Sequence, residues 1–160
     1  NPVVFGQEQI DWLINALKSS HANFKFIVTG GQFISDAKIY ENHINLAPKE
    51  RETLLDLIKK EKIEGLFFLS GDRHHTELSV LKDEEFYPLY DWTVSPLTAT
   101  AYEIKDEGNN KLVKSSSYGK RNYGSIEVSG PGNERKLILR LFNVNGEEVW
   151  STSIMRQDLK

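Results

Sequence analysis

The chain has 160 residues, 39% of them hydrophobic and 11% aromatic, enough for one domain with a real core and too apolar for a disordered segment. Its net charge of −3 supplies no basic field to draw in nucleic acid or an anionic membrane, so an anionic substrate must be held by local cations, from side chains or from metal. The absence of cysteine excludes disulfides, thiolate catalysis and cysteine-built zinc sites, and no stretch approaches the roughly 20 apolar residues that span a bilayer. The opening Asn1-Pro2-Val3-Val4 has neither an initiating Met nor a signal pattern, and reads as the start of a piece cut from something longer.

In chain order, Gln7 to Ser19 is an amphipathic helix, with Ile10, Leu13, Ile14 and Leu17 at i, i+3, i+4 and i+7. Phe24 to Thr29 is a strand stopped by Gly30-Gly31. Gln32 to Leu46 is polar and aperiodic, and reads as a long loop. Pro48 opens a second helix that buries Leu54, Leu55 and Ile58, with Glu50 and Glu52 near its start and Lys59 and Lys60 at its end to complement the dipole. Gly65 to Leu69 is a short apolar run without alternation, as expected of a strand covered on both faces.

This first half, residues 1–80, is therefore α/β. The second half, residues 81–160, is mostly β, giving the chain some α+β character. Leu89 to Val94, Ser125 to Val128, Lys136 to Phe142 and Glu148 to Ile154 read as strands, and Asn145-Gly146 marks a hairpin between the last two. Leu137, Leu139 and Leu141 share one face and Arg140 takes the other. Asp106 to Ser117 reads as a soft polar loop. There is no internal repeat, and the whole is one domain part.

The chemistry concentrates in Ser70-Gly71-Asp72-Arg73-His74-His75-Thr76-Glu77, directly after the buried strand, where side chains converge in α/β sheets. Asp72 and His74, two apart in an extended stretch, are expected on the same side. A carboxylate beside an imidazole suits Zn, Fe or Mn better than Mg alone. Two donors do not complete a site, which takes roughly four to six. Glu77 is a candidate to fix the second nitrogen of His74, or to pair with Arg73. The alternatives are ordinary: capping for Asp72, a loop position for His75, a helix-end role for His21, a polar loop for His43, a turn for Asn122-Tyr123-Gly124, and core or interface for Trp12, Trp92 and Trp150.

Leu69-Ser70-Gly71-Asp72-Arg73-His74-His75-Thr76-Glu77-Leu78 resembles the late motif of PhoD-like alkaline phosphatases, a branch of the calcineurin-like metallophosphoesterases. Gly6-Gln7-Glu8-Gln9-Ile10-Asp11-Trp12-Leu13, Lys49-Glu50-Arg51-Glu52, Tyr90-Asp91-Trp92-Thr93-Val94-Ser95-Pro96-Leu97-Thr98 and Asn122-Tyr123-Gly124 agree in order, so the likeness covers nearly the whole chain. It implies the C-terminal half of a two-sheet metallophosphoesterase sandwich flanked by helices. It further implies a dinuclear centre of Fe, Zn, Mn or Ca that activates water against a phosphate mono- or diester, and a periplasmic or secreted protein.

Where the superfamily has Gly-His-x-His, this chain has Gly71-Asp72-Arg73-His74, so the resemblance gives Asp72 and His74 the roles of catalytic metal ligands. Arg73, His75, Glu77 and Asn122 become substrate-binding or supporting candidates. Two departures stand beside this. The superfamily's early Asp-x-His, Gly-Asp and Gly-Asn motifs would precede Asn1, and no His follows Thr29-Gly30-Gly31-Gln32 where the superfamily often has one. The expected partners are thus a phosphate ester, the absent N-terminal half, and a second copy through an exposed sheet edge. Two other readings remain open: a catalytically incomplete structural or interaction module that keeps the family core, and a mononuclear hydrolase in which His75 joins Asp72 and His74.

Overall fold

The computed structural model describes residues 2–39 and 41–160. Helix α1 (Gln7–Ser19) buries Ile10, Ile14 and Leu17, the expected stripe. Its entry is held from outside. Gly6 caps it with φ 79° and no side-chain bond, while the Glu50 carboxylate accepts the N–H groups of Val4 (3.0 Å), Phe5 (3.0 Å) and Gly6 (2.8 Å). Glu50 lies in helix α3 (Pro48–Lys60), which follows the short helix α2 (His43–Leu46).

Strands β1 (Lys25–Val28), β2 (Leu66–Ser70), β3 (Glu77–Leu81) and β4 (Leu89–Thr93) form one sheet in the order β1-β2-β4-β3. The first three neighbours run parallel, and β3 is antiparallel to β4. Strands β5 (Asn122–Ser129), β6 (Lys136–Asn143) and β7 (Glu148–Met155) make a separate antiparallel meander. Gly146, with φ 79°, supplies the positive-φ residue its last hairpin needs.

The two sheets share one core. Phe67 of β2 lies between Phe26 and Tyr90 of its neighbouring strands, at 5.9 Å from each ring. Trp92, two residues beyond Tyr90 on the same face, meets Trp150 of the meander at 6.3 Å. Leu137, Leu139 and Leu141 close that layer fully buried, as the alternation requires, while Arg140 points outward to Glu127 at 2.7 Å. On the opposite face of the first sheet, Phe68 stacks on Phe33 at 4.5 Å. Leu66, Phe67 and Phe68 are all fully buried, so β2 is the two-faced strand its composition predicts.

Four expectations need correction. Residues 32–46 are not a loose polar loop: Phe33 and Ile34 are fully buried, and Gln32, Ser35, Asn42 and His43 are buried polar groups. β3 was not anticipated. The segment 106–117 is not soft but laced down, with Lys38 N–H donating to the Glu107 carbonyl (2.8 Å), Asn110 N–H to Asp36 (2.7 Å) and Val80 N–H to the Lys111 carbonyl (2.8 Å). β5 starts at Asn122, three residues before the sequence signal.

Among the described residues β1 is an edge strand, and its side chains Phe26 and Val28 are exposed, as is Trp12 of α1. Trp12 is thus not core. With Phe5, Leu13 and Ile27 these residues line an apolar groove between α1 and the free edge.

Candidate functional site

The parallel strands β1, β2 and β4 end side by side, and the chain stays tied there beyond the ladder. Gly71 N–H donates to the Gly30 carbonyl at 3.1 Å, and Val94 N–H to the Ser70 carbonyl at 2.9 Å. Gly71 is therefore fixed between its neighbours, and the next residues must leave the sheet at once.

They leave through a strained turn rather than an extended stretch. Arg73 N–H donates back to the Gly71 carbonyl at 2.8 Å, closing a three-residue turn around Asp72, whose φ is 65°. His74 also has positive φ, 58°. Strand alternation is thus the wrong reason to group Asp72 with His74, yet both side chains line one cleft of about 500 Å³ with Lys38, Ile39, Glu41, Arg73, Tyr102 and Glu107. Two left-handed non-glycine residues within three positions cost on the order of 1–3 kcal/mol each, a cost that clusters at functional sites.

Asp72 is exposed, and among the described residues its carboxylate has no ion-pair partner. The Nδ1 of His74 lies 2.5 Å from the Thr100 carbonyl, which can only accept, so Nδ1 carries the proton. In the neutral ring this leaves the lone pair on Nε2. A backbone carbonyl, not Glu77, fixes the tautomer.

The remaining sequence candidates divide differently. Arg73 is buried, and its guanidinium pairs with Glu107 at 2.5 Å, not with Glu77. His75 is turned inward, donating from Nε2 to Glu77 at 3.3 Å. Glu77 also accepts from Gln32 (2.6 Å) and Asn109 (3.0 Å). Burial alone would raise the Glu77 carboxyl, but His75, Gln32 and Arg73 outweigh it and hold it below the usual range.

Asn122 is buried and clamped, accepting from Thr76 Oγ1 and donating to the carbonyls of Ser95 and Lys120, each at 2.8 Å. It is not among the cleft-lining residues. His43 is likewise structural, wedged between Phe5 and Phe33 with Nε2 on Glu50 at 3.0 Å; burial lowers its pKa against the pull of Glu50.

At the base of the turn lies a buried polar chain that the sequence did not reveal. Asp91 accepts from Phe33 N–H (2.7 Å), Ile34 N–H (2.9 Å) and Ser70 Oγ (2.7 Å). Ser70 in turn touches Thr93 Oγ1 at 2.9 Å, to which Gln32 donates at 2.9 Å. Complete burial pushes the Asp91 carboxyl up, and its three donors do not reverse it. Lys38, Glu41, Tyr102 and Glu107 also join the cleft without a sequence signal, because loops distant in the chain bring them there.

As a metal site this is a partial fit. One free carboxylate and one imidazole nitrogen of fixed tautomer are suitable donors for Zn, Fe or Mn. Among the described residues, however, no three His, Cys, Asp or Glu side chains gather closely enough to hold an ion, and His75 does not supply the third donor.

Fold and cleft together define an α/β chain of two facing sheets, with a carboxylate and an imidazole lining one cleft beyond the carboxyl end of a central parallel strand. A family model described as PhoD-like phosphatase matches residues 1–128, and the chain belongs to that family. A solved structure described as "Structure of PhoD" is similar, with a TM-score of 0.61 and 19% identity over 93% of this chain and 36% of that one. At that identity the likeness speaks for the fold, and this chain spans little more than a third of the solved protein. No curated protein sequence matches it.

Proposed function

We propose that this chain is the later part of a metal-dependent phosphoesterase, hydrolysing phosphate mono- or diesters, and that Asp72 and His74 are two of its metal donors. The observation that carries this reading is that both line one cleft, the carboxylate without an ion-pair partner among the described residues and the imidazole held with its lone pair on Nε2, in a chain of the PhoD-like phosphatase family. Bound divalent or trivalent ions, two in the expected enzyme, would supply a low-pKa water and neutralise charge on the phosphoryl oxygens.

The chain's own residues do the positioning. Asp72 and His74 hold; Thr100 keeps Nδ1 protonated. Arg73, already neutralised by Glu107, orders the neighbouring loop instead of gripping substrate, and Lys38 is the exposed cation of the cleft. The further donors belong to polypeptide beyond these 160 residues, in keeping with the 36% share of the PhoD structure that the chain spans. That polypeptide has a place to pack, the free edge of β1 with Phe26, Val28 and Trp12 beside it; a second copy is the other occupant of that edge.

For the chain taken alone, the two-donor set favours a second reading, a catalytically incomplete module that keeps the family core. Steady-state kinetics on the full-length protein decide between them. With an aryl phosphate and a bis-aryl phosphate as substrates, His74→Ala and Asp72→Asn lose activity by orders of magnitude while the circular dichroism spectrum is unchanged. Undiminished rates in both variants would remove Asp72 and His74 from the site, and no hydrolysis of either substrate by the full-length wild type would leave the module reading standing.

A further inference from the structure

Residues 99–104 run past His74 as a strap that puts Tyr102 on the cleft wall, and three of their contacts converge on His74. The Thr100 carbonyl accepts from Nδ1 at 2.5 Å, Tyr102 N–H donates to the His74 carbonyl at 2.9 Å, and the Tyr102 ring stacks on the imidazole at 4.5 Å with 16° between planes. Tyr102 remains 55% exposed, so burial of apolar area does not account for an aromatic residue there.

The strap is held from the other side by an unusually close approach. A Cβ on Gly119 would lie 2.8 Å from the Tyr102 carbonyl oxygen and 3.2 Å from the Ile104 nitrogen. The Gly119 backbone has no positive φ to require glycine; what it lacks is room. Arg121 Nε fixes the start of the strap through the Ala99 carbonyl at 3.0 Å.

We infer that Tyr102 is a positioning residue for His74: its ring, stacked on the imidazole by a strap that needs Gly119 beneath it, keeps Nδ1 against the Thr100 carbonyl, so that the Nδ1–H tautomer is held and the lone pair stays on Nε2. An unrestrained neutral histidine in water favours the opposite, Nε2–H form. The strap reverses this before any ion arrives, and the contact also supports the left-handed backbone of His74. The inference deepens the reading of His74 as a donor and rests on it for its purpose, but not for its test.

That test is the long-range 15N–1H spectrum of the metal-free protein, labelled at histidine and recorded at alkaline pH. The wild type is expected to show His74 as Nδ1–H. Tyr102→Ala shifts it to the Nε2–H form, Tyr102→Phe keeps the wild-type signature because the ring remains, and Gly119→Ala reproduces the Tyr102→Ala shift from beneath the strap. The signals of His21, His43 and His75 report that each variant is folded. A wild-type His74 already in the Nε2–H form overturns the inference, and so does a Tyr102→Ala variant with the wild-type signature. No metal or substrate enters this readout, so it fails or stands separately from the phosphoesterase reading, which metal retention in His74→Ala probes.

Discussion

Trp92 of β4 and Gly124 of β5 meet across the two sheets with no space for a side chain between them: a Cβ on Gly124 would lie 2.5 Å from Trp92 Cη2 and 3.0 Å from Cζ3. Trp92 is 1% exposed and cannot swing away. The Asn122-Tyr123-Gly124 motif is thus a point of closest approach between sheets. Gly124→Ala should lower stability by about 1–3 kcal/mol through overpacking, read as a lower denaturant midpoint at unchanged slope. An unchanged midpoint would mean that the sheets are not in this register.

Asp72 sits at φ 65°, where an L side chain is strained and glycine is not. Asp72→Gly should therefore stabilise the fold by about 1 kcal/mol while removing activity. Asn tolerates the left-handed region, so Asp72→Asn should leave stability unchanged and isolate the loss of charge. Chemical denaturation paired with the phosphoesterase assay checks both. Loss of stability in Asp72→Gly would show that the carboxylate serves the fold.

Asp91 has its pKa raised by burial, so the folded state holds its proton more tightly than the unfolded state does. Its contribution is then full below the ordinary carboxylate range and is lost as pH rises through the folded value. Asp91→Asn keeps an acceptor for the Phe33 and Ile34 N–H groups but does not titrate. Measured by denaturation across pH, the stability of Asp91→Asn relative to wild type should improve as pH rises. Asp91→Ala, which orphans both N–H groups, should cost about 3 kcal/mol.

Glu50 runs the other way. Burial would raise its pKa, but the N–H groups of Gly6, Phe5 and Val4, together with His43, bring it below the usual range. The stability it supplies is present above the ordinary carboxylate range and is lost as pH falls through the depressed folded value. Glu50→Ala should cost about 3 kcal/mol near neutrality and free the segment before α1, while the gap to wild type narrows in acid. Hydrogen exchange at Phe5 and Gly6 gives a local check.

The legible parts of the fold were those where burial follows local period. The α1 stripe, the uninterrupted apolar β2 and the Leu137-Leu139-Leu141 alternation each appear as read. Residues 32–46 misled because polarity there reflects internal bonding, not solvent: Gln32 is satisfied by Glu77 and Thr93, and the Phe33 N–H by Asp91, 58 positions on. β3 was hidden for the same reason, since it begins with a buried Glu77 that reads as a surface charge. That Asp72 and His74 lie directly after a buried strand was legible, and both do line the cleft there. Thr100 and Tyr102 were not, because nothing local in a sequence couples a carbonyl to a ring 26 residues away.

Metal content of the purified full-length protein, wild type beside Asp72→Ala and His74→Ala, bears most directly on whether an acid and an imidazole in this cleft grip a shared centre. Plasma mass spectrometry should find stoichiometric transition metal in the wild type and clear loss of it in each folded variant. Full retention by both variants would contradict the assignment of these two side chains as donors.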